Sequence, residues 1–174
     1  YGLTAPFAIA QPIRPIVLTL WGSDLMKEQT KTYQFLSNYI DQIILPSPVM
    51  EPYLDNNFTV IPYGVDTEQF APIPKQTARE KIGWDMDKKI VLFPYETSRA
   101  IKDYPRAKRV INRVEGAELR QISDVSYEKV SLYMNASDAV LVTSKRESGP
   151  MVVKEAALCN VPVVSTDVGF AGDI

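Results

Sequence analysis

The chain has 174 residues, 45% hydrophobic and 23% charged, with a formal net charge of −2. That length holds one domain, or one domain with part of another, and the charge balance argues against a nucleic-acid binder. With no histidine and a single cysteine, Cys159, the chain excludes Ser-His-Asp and Cys-His catalysis, an internal disulfide, and His or Cys zinc sites. Any chemistry must rest on carboxylates, Lys, Arg, Tyr and backbone amides. The lone cysteine points to the cytosol. No apolar run approaches the roughly 20 residues of a membrane span, and the opening Tyr1-Gly2-Leu3-Thr4 lacks the basic start of a secretory signal.

In chain order, Pro15 to Trp21 reads as a first buried strand, and Gly22-Ser23-Asp24 as a turn with a helix cap. An amphipathic helix is expected from Leu25 to Ile40, a strand over Gln42–Pro46 and a short helix from Pro48 to Leu54. Phe58 to Asp66 reads as a strand running into a turn. Lys75 to Ile82 predicts a helix stopped by Gly83, and Lys89–Phe93 a strand. Asp103 to Val114 predicts a helix with Pro105 in its first turn, and Glu118–Ile122 a strand. Ser126 to Met134 predicts a helix capped by Ser126, and Ala139–Thr143 a buried strand. A helix from Gly149-Pro150 to Leu158 and a strand at Val163–Thr166 complete the series. Strands alternating with helices imply a parallel sheet covered by helices.

The most informative stretch follows the 139–143 strand: Ser144-Lys145-Arg146-Glu147-Ser148-Gly149-Pro150-Met151-Val152-Val153-Lys154-Glu155. Proline suits a helix start because its missing N–H has no partner there. The first-turn N–H groups make a ready anion site, and Gly149 lets a phosphate approach the backbone. The carboxylates Glu147 and Glu155 beside an anion hole make electrostatic sense only if they hold something else on the same ligand, such as hydroxyls. A sugar nucleotide combines a diphosphate with diols.

The Glu-x7-Glu spacing, Ser148-Gly149-Pro150 and the following Asn160-Val161-Pro162-Val163-Val164-Ser165-Thr166 resemble the retaining glycosyltransferases of family 4. The resemblance implies the GT-B fold, two Rossmann-like domains with helices on both faces of each parallel sheet. Val60-Ile61-Pro62-Tyr63-Gly64-Val65-Asp66 resembles the family's interdomain linker, with Tyr63 in place of the usual Asn. It implies an N-terminal, acceptor-side domain in part (1–62) and a donor-nucleotide-binding domain (63–174) incomplete at its end. Since family members are usually about twice this long, both ends of the chain read as truncated.

The resemblance also implies roles. Glu155 would hold the two ribose hydroxyls, since a carboxylate offers two acceptor oxygens to a vicinal diol. Glu147 would lie near the transferred sugar. Amides around Ser148, Gly149, Pro150, Met151 and Val152 would receive the diphosphate. Arg99 and Lys102 would stabilise charge on the departing diphosphate, although their spacing is shorter than the commonest family pattern. Val125 and Tyr127 would border the base; Tyr127 also reads as simply packing on its helix. Trp21-Gly22-Ser23-Asp24 resembles the family's His-Gly-Ser-Asp, Trp21 replacing His; by position Trp21 also reads as a buried aromatic at a strand end. Asp173 stands where the family has a donor-side Glu. Cys159 reads as a small buried residue.

The expected activity is transfer of a hexose from a UDP- or GDP-sugar to a saccharide or lipid-linked acceptor with retention of configuration, with no metal, since the basic loop and the helix N-terminus can take a cation's place at the diphosphate. The alternatives are a non-catalytic sugar-nucleotide-binding fragment and a GT-B sugar-nucleotide epimerase. The basic run Arg106–Arg113 reads either as a solvated face or as a contact with the inner face of a membrane.

Overall fold

A computed structural model describes residues 4–26, 30–55 and 58–172. Its contacts divide the chain into two compact units: Tyr1–Tyr63 with Glu147–Gly149, and Gly64–Arg146 with Pro150–Ile174. Asp173 and the side chains of Ser23 and Asp24, which carry expectations from the sequence, lie outside the described residues.

In the first unit, helix α1 (Thr4–Ala10), strand β1 (Val17–Thr19), helices α2 (Gly22–Leu25) and α3 (Thr30–Ser37), strand β2 (Gln42–Leu45), a 3-10 helix (Pro48–Tyr53) and strand β3 (Phe58–Val60) follow in order. The strands form a parallel sheet ordered β1-β2-β3. Ile43 and Leu45 point to one face, as the two-residue period of a strand requires, and join Ile16, Leu20, Leu25, Tyr33 and Met50 in one core.

Two expectations change here. The run 15–21 is not a buried strand: β1 is a short edge strand with Val17 and Thr19 exposed, flanked by buried Ile16 and Leu20. The run is continuously apolar because its ends turn into the core. Of the helix expected from Leu25 to Ile40, residues 27–29 lie outside the described residues, and α3 stops at Ser37, short of the expected end. There the Ser37 hydroxyl donates to the Gln34 carbonyl and the Asn38 amide donates to that of Phe35, satisfying last-turn carbonyls locally.

The second unit runs α4 (Lys75–Ile82), β4 (Lys89–Phe93), a 3-10 turn (Ala100–Lys102), α5 (Tyr104–Ile111), β5 (Ala117–Gln121), α6 (Tyr127–Asn135), β6 (Ala139–Val142), α7 (Met151–Leu158) and β7 (Val163–Ser165). Its parallel sheet has the order β5-β4-β6-β7. Leu92, Val140 and Val142 face one side, with Met134, Val152, Val153 and Ala156. Phe93 and Leu141 face the other, with Ala107 and Ile111. Helices α6 and α7 therefore cover one face and α5 the other. Gly83 ends α4 in the left-handed conformation, φ 71°, its N–H bonded to the Arg79 carbonyl. Ser126 stands at the N-cap of α6 but makes no capping bond there. Its hydroxyl bonds the Glu128 carboxylate instead, which helps hold that group's pKa below its ordinary value, after the larger effect of Glu128's own backbone N–H.

A buried guanidinium that the sequence did not announce ties this unit together. Arg79, 2% exposed, donates from Nε to the Ala136 carbonyl at 2.8 Å and from one terminal nitrogen to the carbonyls of Asp85, Met86 and Lys88. Its other terminal nitrogen reaches Asp138 Oδ2 at 2.8 Å. Asp138 also accepts from Lys75 Nζ at 2.6 Å and from the Ile90 backbone N–H at 2.7 Å. The guanidinium thus locks α4 and the following turn to the α6–β6 junction. Burial alone would raise the Asp138 pKa, but the bonds from Lys75 and Ile90 and the charges of Lys75 and Arg79 outweigh it, and the pKa is lowered.

Arg79→Met, which strands the carbonyls of Ala136, Asp85, Met86 and Lys88 without their donor, should cost about 1–3 kcal/mol in urea unfolding; exposed Lys81→Met should stay within about 0.5 kcal/mol. Because the folded pKa of Asp138 is depressed, its stabilisation is complete above its unfolded value of 3.8 and is lost as pH falls through the folded value. The acid-side loss of stability should therefore be steeper in wild type than in Asp138→Asn, measured by thermal melts from pH 6 to about pH 2.5.

Candidate functional site

The strand order of the second unit fixes where a ligand can sit. From β4 the chain crosses by α5 to β5 on one side, then returns by α6 to β6 on the other side of β4. The loops leaving β4 and β6 therefore diverge to opposite faces of the sheet. At such a reversal a crevice opens beyond the carboxyl ends of the two strands, where ligands of open α/β sheets bind. The loop after β4 carries Arg99 and Lys102; the loop after β6 leads into α7 and Glu155.

The two loops are stitched together. Thr143 Oγ1, buried at the end of β6, donates to the Lys102 carbonyl at 2.9 Å and lies 3.1 Å from that of Asp103. The Lys145 N–H donates to the Ile101 carbonyl at 2.9 Å. Asp103 adopts the left-handed conformation, φ 51°, and caps α5 by accepting from the Arg106 N–H. A non-glycine residue there carries strain of about 1–3 kcal/mol, softened for Asp, which tolerates this region.

Arg99 and Lys102 part company in this arrangement. Arg99 is exposed at the start of the 3-10 turn. Lys102 is 6% exposed, its ammonium 3.9 Å from the centroid of the Tyr95 ring. Tyr95 is itself held edge-on by Phe93 at the end of β4. A cation over an aromatic face is attracted by the ring quadrupole, so Lys102 is not part of a freely solvated basic loop.

Helix α7 begins at Met151, with buried Pro150 in the N-cap position and no side chain capping it. The sequence expectation placed the helix start one or two residues earlier. Pro150 has no N–H to offer, the Val153 N–H bonds the Pro150 carbonyl at 3.0 Å, and the Val152 side chain belongs to the core. What α7 presents at its start is the pair of first-turn amides of Met151 and Val152, which no intrahelical carbonyl reaches. Glu147, Ser148 and Gly149 group by their contacts with the first unit, so the sequence motif divides at Pro150.

Glu155 lies four residues into α7, on the same face as Met151 and roughly 6 Å along the axis. Helical side chains tilt toward the N-terminus, which brings its carboxylate back toward those amides. Glu155 is 8% exposed and is therefore not a solvated helix residue paired with Arg or Lys. Its one partner among the described residues is the Tyr127 hydroxyl, which donates to Oε1 at 3.3 Å. Burial raises the Glu155 pKa above 4.5, the tyrosine bond offsetting part of this, and no cation contributes. Burial, the Glu155 charge and the hydrogen bond to it raise the Tyr127 pKa in turn, so the phenol remains a donor at neutral pH.

Tyr127 thus does more than pack on its helix. Its ring meets buried Phe70 edge-on, 5.6 Å between centroids, and its backbone carbonyl accepts from Gln69 Nε2 at 2.6 Å. The i, i+28 link to Glu155 had no sequence signal; nor did Thr143, which read only as a strand end. Val125 sits half-buried against the core just before α6. Cys159 is a buried free thiol, its pKa raised to about 11 by burial. Trp21, in the first unit, is not buried: it is 60% exposed and stacks on Tyr63 at 4.5 Å. Among the described residues, no three His, Cys, Asp or Glu side chains are grouped as a metal site would need, and no helix is long and apolar enough to cross a membrane.

Residues 101–174 match the sequence model of the family glycosyl transferases group 1. Over 184 aligned positions the chain is 26% identical to TuaC of Bacillus subtilis (strain 168), named as a teichuronic acid biosynthesis glycosyltransferase; the alignment covers 89% of this chain and 47% of TuaC. Sucrose-phosphate synthase from Thermosynechococcus elongatus is similar with a TM-score of 0.78 at 19% identity, over 98% of this chain and 55% of that one. Anabaena HepE, solved in complex with UDP-glucose, gives a TM-score of 0.67 at 19% identity, over 92% of this chain and 55% of that one. The chain spans about half the length of these relatives. The structural likenesses establish the fold as the α/β architecture of GT-B glycosyltransferases, with parallel sheets flanked by helices. The family match falls on the part of the chain that holds Lys102, the loop after β6 and Glu155.

Proposed function

We propose that this chain is part of a retaining glycosyltransferase that moves a hexose from a UDP- or GDP-sugar to a saccharide or lipid-linked acceptor. In this reading residues 63–174 bind the donor nucleotide and residues 1–62 belong to the acceptor side. The observation that carries it is Glu155: a buried carboxylate with no cation beside it among the described residues, one helical turn from the first-turn amides of α7, at the point where the sheet order reverses. A buried carboxylate held only by a long hydroxyl bond is costly in the empty protein. Two ribose hydroxyls would supply the missing donors, and the Met151 and Val152 amides, with Gly149, would receive the diphosphate.

The remaining roles follow from charge. Lys102 and Arg99 stabilise the negative charge that builds as the anomeric carbon–oxygen bond to phosphate breaks. The acceptor oxygen bonds to that carbon on the same face, and its proton passes to the departing phosphate oxygen, so no histidine is needed. In this reading Glu147 serves the transferred sugar, Ser148 and Pro150 belong to the turn that receives the diphosphate, and Val125 borders the base. The inner face of a membrane is the natural place for a lipid-linked acceptor, with the basic helix α5 as the contact. The chain's share of its relatives' length favours a second reading, a segment that binds the nucleotide without turning it over.

UDP or GDP should raise the melting temperature, by the equivalent of about 2.7 kcal/mol at a hundred times the dissociation constant. No shift with either at millimolar concentration contradicts the proposal. Product NMR after incubation with donor and acceptor separates the two readings, retention showing as an unchanged anomeric configuration and the binding-only reading as no product. Glu155→Gln tests the carboxylate. Its folded pKa is raised, so the cost of ionising it is absent below 4.5 and grows as pH rises through the folded value. The variant should match wild type in stability near pH 4.5, exceed it at pH 7.5, and lose most of the nucleotide-induced shift.

A further inference from the structure

We infer that Tyr127 is a positioning residue for Glu155: its hydroxyl, held in place by Phe70 and Gln69, orients the carboxylate that receives the ribose diol. This rests on the reading of Glu155 given above. Tyr127 sits in the first turn of α6 and Glu155 in α7, so the bond spans two helices on the same face of the sheet. Three restraints act on one ring. Its edge contact with Phe70, 1% exposed, fixes it from the core side. The Gln69 side-chain amide holds its backbone carbonyl at 2.6 Å. The hydroxyl then reaches Oε1 at 3.3 Å, long for an O–H···O bond.

A carboxylate has about four acceptor directions, and one tyrosine donor occupies one of them. Without it, Glu155 has no fixed partner among the described residues, and its χ angles are free to turn the oxygens away from a ligand. A half-exposed tyrosine is well suited to the task. The phenol keeps its proton at neutral pH, donates without adding positive charge, and costs little conformational entropy to hold, having only two rotatable side-chain bonds.

The test compares each nucleotide with its 2′-deoxy analogue, UDP against 2′-deoxy-UDP and GDP against 2′-deoxy-GDP, by calorimetric titration of the full 174-residue chain. A hydrogen bond to a charged group is worth about tenfold or more in affinity, so wild type should favour the ribonucleotide by roughly that factor. Glu155→Ala should abolish the preference. Tyr127→Phe keeps the ring against Phe70 and removes only the hydroxyl; it should cut the preference to about threefold or less, the ribonucleotide losing more affinity than the deoxynucleotide, which keeps only its 3′-hydroxyl on Glu155. A structural role alone would weaken both ligands equally and leave the preference intact, which overturns the inference while sparing the site. If Glu155→Ala keeps the preference, or wild type has none, the ribose assignment itself fails and this inference with it.

Discussion

The second unit depends on one topological constraint: its sheet order reverses between β4 and β6. Because α5 leaves to one face and α6 and α7 cover the other, the loops after these two strands cannot close over each other. They are held at their roots instead, where the Thr143 hydroxyl at the end of β6 bonds the Lys102 carbonyl and the Lys145 amide bonds that of Ile101. The consequence is chemical. A cation-bearing loop and a helix N-terminus meet at one end of the sheet, and an anionic ligand would meet both.

Two buried charges in this unit are treated in opposite ways, and the contrast sets a scaffold residue apart from one proposed for the site. Arg79 is surrounded by carbonyls and by Asp138. It answers the requirement that a buried charge be paired and hydrogen-bonded, and nothing about it invites a ligand. Glu155 has one long bond to a phenol, and burial raises its pKa. Perturbed, under-satisfied groups mark functional positions more often than structural ones, because the energy left unspent in the empty protein is available to the ligand.

How much of this was legible in the sequence varies with the range of the interaction. In the second unit each strand and helix could be read to within a few residues, since strand burial, Gly83 and Pro105 are local signals. β1 was misread as buried because an apolar run does not disclose that it lies at a sheet edge. Glu155 was found as part of a motif, but its burial was not, because helical spacing gives a face and not what covers it. Tyr127 was read only against the base or its own helix and not against Glu155, and Arg79 and Thr143 were missed as anchors. Their partners lie 28, 59 and 41 residues away, and no short-range pattern encodes such pairs.

The most direct test is a crystal structure of the protein with a nucleoside diphosphate bound. The account requires the diphosphate within hydrogen-bonding distance of the Met151 and Val152 amides, with both ribose hydroxyls on the Glu155 carboxylate. A nucleotide lodged elsewhere, or a Glu155 that keeps to protein partners with the nucleotide present, would contradict it.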